Sequence, residues 1–230
     1  MSRNEKFNLI IQLSIPSILA QVTTVLMFYI DAGMVGSLGA EPSAAIGLVE
    51  PATWLIFSLV SAVTMGFSVQ VAHFIGANDF PKARAVMRHG YVFGLCFSLL
   101  MLLIAFLIGP RLPIWLGGGT DIQHDAMVYF LIFSCITPFH LIEYMSGAML
   151  KVAGDMRRPS MMAILMCVLD VIFNYFLIFP TRTISLFGIE LTMPGLGAGV
   201  AGAALGSLLA FVCVALPLAY YAIFRSPILA

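Results

Sequence analysis

The chain has 230 residues, of which 61% are hydrophobic and only 10% are charged, with zero net charge and a mean hydropathy of +1.03. A soluble domain carries about 25% charged residues, so this composition excludes an ordinary soluble protein and indicates an integral membrane protein. Zero net charge gives no basis for nucleic-acid binding, and the four cysteines stand singly in apolar runs, which is not a metal or disulfide spacing.

Charged residues divide the sequence into six apolar runs, each long enough for a helix that spans a bilayer. In chain order the runs cover residues 9–36, 44–73, 88–110, 125–150, 159–180 and 197–224. They are too poor in alternating polar residues for barrel strands, so we expect an all-α polytopic membrane bundle of six transmembrane helices. The first run is too long for a cleavable signal peptide, and we expect residues 1–230 to form a single transmembrane domain.

Lysine and arginine are unequally distributed between the two sets of loops, and this inequality predicts the orientation of the chain. One set carries nine basic residues: Arg3, Lys6, Lys82, Arg84, Arg88, Lys151, Arg157, Arg158 and Arg225. The other set carries Arg111 and Arg182, next to turn sequences at 116–121 and 191–199. Because basic loops stay in the cytoplasm, we expect both termini there, in a plasma membrane of the bacterial inner-membrane type.

The fifth run contains a carboxylate and an amide one helical turn apart, Asp170 and Asn174. Asp170 follows Pro159 by eleven residues, about 16 Å along a helix, which places it near the bilayer midplane. An acidic residue there costs roughly 2.5–3.5 kcal/mol and often marks an ion or proton path. The alternative is a structural hydrogen bond from this helix to a neighbour, and that alternative has more weight for Asn174.

Three further acidic residues lie inside apolar runs. Asp31 lies towards the outer end of the first run, where it either faces the bundle or reaches headgroup water. Glu50 precedes Pro51 in the second run and either faces a cavity or marks an interfacial helix start. Glu143 follows His140 by three residues near the inner end of the fourth run, and it either bonds inside the bundle or lines an inner vestibule.

The sixth run begins with closely spaced small residues, "GLGAGVAGAALGS", which let helices approach closely in lipid. Ser207 ends this stretch near the midplane and offers a hydroxyl oxygen.

Four stretches together resemble the N-terminal half of the MATE family, the multidrug and toxic compound extrusion antiporters. They are "IPSILAQ…YIDAGMVGSLGA" (15–40), "TMGFSVQVAHFIGAND" (64–79), "GAMLKVAGDMRRPSMM" (147–162) and "NYFLIF…GAALGS" (174–207). They are similar in order to the first helix of that family, the end of its second, its loop between helices four and five, and its helices five and six. The resemblance covers nearly the whole chain.

The resemblance implies a secondary transporter and not an enzyme, in which proton or sodium entry drives the export of small organic cations and drugs. It implies an ion-coupling group of Asp31, Asp170, Asn174 and Ser207, and a cavity with four candidate lining residues: Glu50, Gln21, Tyr29 and Glu143. The order of Asp170 and Asn174 departs from the common family pattern and moves the helix-five carboxylate one turn, about 6 Å, towards the cytoplasm. No cofactor or metal is implied beyond the coupling H⁺ or Na⁺.

The family has twelve helices in two lobes, whereas six are expected here, so the resemblance implies one lobe that pairs with a C-terminal lobe or a second copy. One alternative is a flippase for a lipid-linked saccharide, but its cavity should be cationic, and no Lys or Arg lies in the interior of a predicted span. Another alternative is a non-transporting half or membrane partner module. An intramembrane enzyme is disfavoured because metalloprotease and nucleophile-elbow motifs are missing from the sequence.

Overall fold

The computed structural model describes residues 3–186 and 189–229, and within these ranges it contains eight helices and one β-hairpin. In chain order the elements are α1 (Arg3–Gly36), α2 (Ala40–Gly76), α3 (Phe80–Ile108), α4 (Leu112–Trp115), α5 (Gln123–Ser134), α6 (Thr137–Val152), α7 (Arg157–Ile178), β1 (Pro180–Leu186), β2 (Ile189–Leu196) and α8 (Gly199–Phe224). Five helices are long and apolar enough to cross a membrane, and α5 with α6 makes a sixth span if the bent pair is counted as one. The predicted helical membrane bundle is therefore confirmed.

The fourth predicted span is broken in the structure, because α5 ends at Ser134 and α6 begins at Thr137 with a bend of 42° between them. The physical cause is Pro138, which lies in the first turn of α6. Its ring nitrogen cannot donate to the carbonyl of Ser134 four residues earlier, and the ring collides with that carbonyl. The sequence predicts one uninterrupted span over 125–150 because the run stays apolar through the break.

The hairpin of β1 and β2 lies between α7 and α8 and was not predicted from the sequence. The two strands pair antiparallel, with Arg182 opposite Met193 and Leu186 opposite Ile189. Residues 191–199 were expected to form a turn because of Pro194 and three glycines, but β2 extends to Leu196. The β-branched residues of 181–184 and 189–192 favour strands and were the signal that was missed.

The two turns that precede α3 and α7 are built in the same way. A residue with positive φ, Asn78 or Gly154, is followed by an aspartate whose carboxylate accepts a backbone N–H of the first helical turn. Asp79 accepts from the Lys82 N–H at 3.3 Å, and Asp155 accepts from the Arg158 N–H at 3.2 Å. Each aspartate thus satisfies one of the otherwise unpaired donors at a helix start.

The sixth span, α8, is the central helix of the bundle. In its apolar window 56% of the residues are buried, compared with 11% for α1, which lies at the edge. Close packing of α8 on α7 requires glycine at two positions, because a Cβ at Gly202 would meet the backbone carbonyl of Leu177 and a Cβ at Gly206 would meet Asn174. The small-residue run therefore serves helix packing, as lipid-embedded interfaces require.

We expect Tyr91→Phe to lower the stability of the bundle slightly, by about 0.5–1.5 kcal/mol. The Tyr91 hydroxyl lies 2.7 Å from the Ser146 hydroxyl, which itself donates to the Ile142 carbonyl, so Tyr91 is the donor between α3 and α6. Thermal unfolding in detergent measures the effect. Tyr220→Phe is the control, because the Tyr220 side chain is 54% exposed, and an equal loss in both variants would contradict the expectation.

Candidate functional site

The carboxylate and the amide of the fifth span lie inside the bundle. Asp170 and Asn174 are each only 1% exposed, and both lie on the face of α7 that packs against α1 and α8. Their spacing of four residues brings the two side chains to the same helix face. The structure thus provides the buried polar position that the sequence predicted for a midplane acid.

A single amide group joins two carboxylates from different helices. The Asn174 Nδ2 donates to Asp31 Oδ1 at 2.9 Å and to Asp170 Oδ2 at 3.0 Å. An amide nitrogen carries two hydrogens, so both bonds can form at the same time and each acid receives one. The bridge ties the outer part of α1 to the middle of α7.

The hydroxyl of the sixth span completes the group. Ser207, 8% exposed on α8, lies close enough to Asp170 to interact with its carboxyl group, and the Asp31 and Asp170 carboxyl groups likewise lie close to each other. Two carboxyl groups can share a hydrogen bond only if one of them holds a proton. Asp31, Asp170, Asn174 and Ser207, the four residues predicted for ion coupling, therefore form one contiguous cluster in the structure.

One oxygen of this group has no protein partner. The Asn174 Oδ1 is buried without a hydrogen bond and points to α8, where a Cβ at Gly206 would collide with it. Glycine at that position leaves room for the amide to lie flat against α8. With Ser207 and the two carboxylates, the Asn174 Oδ1 makes an oxygen-rich group of the kind that suits a proton or a hard cation.

The four residues predicted to line a cavity lie outside this cluster. Glu50 is exposed on α2, where its Oε1 accepts from the Trp54 indole N–H at 3.3 Å. Gln21 and Tyr29 are exposed on α1, and Tyr29 is 75% exposed. Glu143 is half-buried on α6. Their role as cavity residues stays a prediction.

One residue near the cluster was not predicted from the sequence. The half-buried Tyr129 on α5 lies within electrostatic range of Asp31, Asp170 and Glu50. Its ring stacks on Phe133, with centroids 5.2 Å apart. In the sequence Tyr129 is one aromatic residue among many in an apolar run, and only the packing of α5 against α2 and α8 distinguishes it.

Similarity to known proteins extends over most of the chain. A family model described as MatE matches residues 16–176 of the chain. A FAD transporter of Shewanella oneidensis is 26% identical over 175 residues, which is 74% of this chain and 38% of that protein. A probable multidrug resistance protein NorM of Oceanobacillus iheyensis is 24% identical over 202 residues, which is 86% of this chain and 43% of that protein.

The fold is similar to solved transporter structures. An outward-facing multidrug resistance MATE family transporter of the MOP superfamily superimposes with a TM-score of 0.84 at 24% identity. The superposition covers 96% of this chain and 46% of that one. The chain thus spans less than half the length of these relatives and corresponds to roughly one lobe of a full-length protein.

Proposed function

The chain belongs to the MatE family, and from this premise we propose that it is the N-terminal lobe of a cation-coupled antiporter that exports organic cations by alternating access. The family's members are transporters, and relatives of this chain are described as multidrug resistance proteins. The second lobe, from the same chain or from a second copy, would supply the other wall of the cavity. We place both termini in the cytoplasm, in a plasma membrane of the bacterial inner-membrane type.

The observation that carries this proposal is the Asn174 amide that bridges Asp31 and Asp170. Two carboxyl groups in one buried cluster bind a single positive charge well, because the charge replaces the repulsion between them with attraction. A proton is the smallest such charge, and it can be held between the two acids. Sodium is the alternative, with the Asn174 Oδ1 and Ser207 hydroxyl as further oxygen ligands.

Export follows if the organic cation and the coupling ion compete for this negative charge. When Asp31 and Asp170 are exposed to water on the outer side of the membrane, they take up a proton. Their attraction for a bound cation then falls, and the cation leaves to the outside. A ligand shifts a conformational equilibrium only through such differential binding to the two states. Neutralising the acids also changes the bonds around Asn174, which join α1 to α7.

A second candidate substrate comes from the similarity to the FAD transporter of Shewanella oneidensis. FAD is an anion, and a pocket for its pyrophosphate would need basic side chains. The cluster instead gathers two carboxyl groups, an amide and a hydroxyl. This chemistry favours an organic cation over a flavin dinucleotide as the exported molecule.

We expect the purified protein, reconstituted in liposomes, to accumulate a fluorescent organic cation when the lumen is acidic and the outside is neutral. The measurement is uptake under a pH gradient, under a sodium gradient and with no gradient. Uptake that follows the pH gradient assigns the proton, and uptake that follows sodium assigns sodium. Excess FAD should not compete. Uptake under neither gradient would contradict the antiporter proposal, and competition by FAD would contradict the substrate class.

A further inference from the structure

Unpaired buried polar atoms are concentrated between α2 and α6. Among the described residues, four buried side-chain atoms lack a hydrogen-bond partner, and one of them, the Asn174 Oδ1, belongs to the cluster above. The other three are the Thr64 Oγ1, the Thr137 Oγ1 and the His140 Nδ1. Leaving a buried polar atom unpaired is costly, and ordered water is the usual partner of such atoms in proteins.

A direct contact sets the relative level of the two helices. The Ser61 hydroxyl on α2 lies 3.4 Å from the His140 Nε2 on α6. In the predicted topology α2 runs from the outer to the inner side and α3 runs back to the outer side. The chain then runs inward again through α5 and α6, so α2 and α6 have the same direction. Thr64, three residues after Ser61, therefore lies near the level of Glu143, three residues after His140.

Polar side chains recur at every third residue along this broken span, and within α6 successive members are neighbours on the helix surface. They are Ser134, Thr137, His140, Glu143 and Ser146. Ser134 and Ser146 are satisfied by helix carbonyls, whereas Thr137 and His140 keep unpaired atoms in the middle of the line. The line runs from the part of α5 near Tyr129 towards the predicted cytoplasmic end of α6.

The ring of His140 is held firmly while one of its nitrogens stays unpaired. Phe57 stacks on it with centroids 4.4 Å apart, and Phe211 meets it edge-on at 5.8 Å. Packing between Phe57 and Phe211 does not by itself require a histidine, because another aromatic ring could fill the same space. The stacking fixes the orientation of the imidazole, and its Nδ1 is a buried polar atom without a protein partner.

Glu143 is the acid next to this imidazole. It is half-buried and makes no hydrogen bond or ion pair within residues 3–186 and 189–229. Lys151, two turns later on the same helix, is the charged residue that acts on it electrostatically. Of the other ionisable groups nearby, Tyr144 packs against His140, and Tyr91 from α3 is bonded to Ser146. No basic side chain is paired with Glu143, so its carboxylate can accept a proton.

We propose that His140, Glu143, Ser61, Thr64 and Thr137 hold ordered water and form a second proton-binding site, the inner proton site, through which the coupling proton leaves to the cytoplasm. The inference rests on the proposed antiporter function with proton coupling. The proton passes through a bridging water to a Glu143 carboxylate oxygen, while the neutral imidazole accepts a hydrogen bond from that water at the His140 Nδ1. Glu143 then releases it to cytoplasmic water, which leaves the carboxylate ionised.

The test separates proton-driven transport from transport without a gradient. In liposomes we expect His140→Gln and Glu143→Gln to lower pH-gradient-driven uptake of the fluorescent cation by ~10-fold or more, as loss of a positioned proton carrier does. Gradient-free exchange of the same cation by His140→Gln should stay within about twofold, since the outer cluster is intact. Ser98→Ala is the control, because it removes a buried hydroxyl that bonds only within α3.

Two transport results would overturn the inner proton site. One is unchanged gradient-driven uptake in both variants while the wild-type protein transports, which leaves the antiporter proposal intact. The other is an equal fall of driven uptake and gradient-free exchange, which indicates a structural role. Wild-type protein that shows no gradient-driven uptake contradicts the antiporter proposal itself. Radiolytic hydroxyl labelling gives a readout without transport: buried water should modify His140, and an unmodified His140 would also overturn the inference.

Discussion

Asp170→Asn is expected to abolish gradient-driven transport while the protein still folds and inserts. The substitution removes one of the two acids in the buried cluster but keeps the size of the side chain. Its new Oδ1 can still accept from the Asn174 amide, which lies 3.0 Å from the present Asp170 Oδ2. With one carboxylate left, the binding of a proton and of an organic cation no longer compete through the same pair. We expect driven uptake to fall on the order of 10²-fold.

The stability of the same variant should be unchanged or slightly higher. A carboxylate that is 1% exposed is costly to bury, and an amide of the same size removes the cost of burying its charge. Asp125→Asn is the matched control, because Asp125 lies in the first turn of α5 and is exposed. Unchanged driven uptake in Asp170→Asn would remove Asp170 from the coupling mechanism, and loss of folded protein would assign it a structural role.

Gly206→Ala should destabilise the bundle by about 1–3 kcal/mol, because a methyl group at this position has no space. The added Cβ would collide with the Asn174 Oδ1 and lie 2.9 Å from the Asn174 backbone nitrogen. Since that nitrogen belongs to the α7 backbone, α7 and α8 must separate or the amide must rotate. Either movement weakens the bridge to Asp31 and Asp170, so transport should fall together with the unfolding temperature.

Gly66→Ala is the control for this experiment. It replaces a glycine in the interior of α2 where nothing lies within 4 Å of the new Cβ. Alanine is the better helix former, so this variant should gain about 0.5–1 kcal/mol. Thermal unfolding in detergent compares the two. Equal stability of Gly206→Ala and Gly66→Ala would contradict the close approach of α7 and α8 described above.

The spans could be predicted from the sequence because lipid leaves the chain few choices. A run of about 20 apolar residues must satisfy its own backbone, and charged residues mark its ends. The interruption at Pro138 and the hairpin of β1 and β2 were harder to predict. Pro138 lies in an unbroken apolar run, and a proline in a membrane helix can either bend it or end it. The hairpin lies outside the apolar runs, where hydropathy carries no information about strands.

The buried cluster could be predicted in part for a similar reason. An acid at the midplane is so costly that Asp170 is conspicuous in any reading of the sequence. The grouping of Asp31 and Ser207 with Asp170 followed from family resemblance and not from spacing, since the two residues lie on other helices. Tyr129 could not be found, because its importance depends on which neighbours α5 meets after folding. The three unpaired atoms between α2 and α6 likewise depend on packing and have no sequence pattern of their own.

The break between α5 and α6 has a mechanical consequence. A continuous helix transmits a tilt along its whole length, because every carbonyl is tied to the next turn. Here Pro138 removes one backbone hydrogen bond at the junction of α5 and α6, whose axes meet at 42°. This junction is flexible, so we expect α5, which carries Tyr129, to rotate without rotating α6, which carries His140 and Glu143. The outer and inner halves of this span can then move at different times. A transporter that opens to one side of the membrane at a time requires such independent movement.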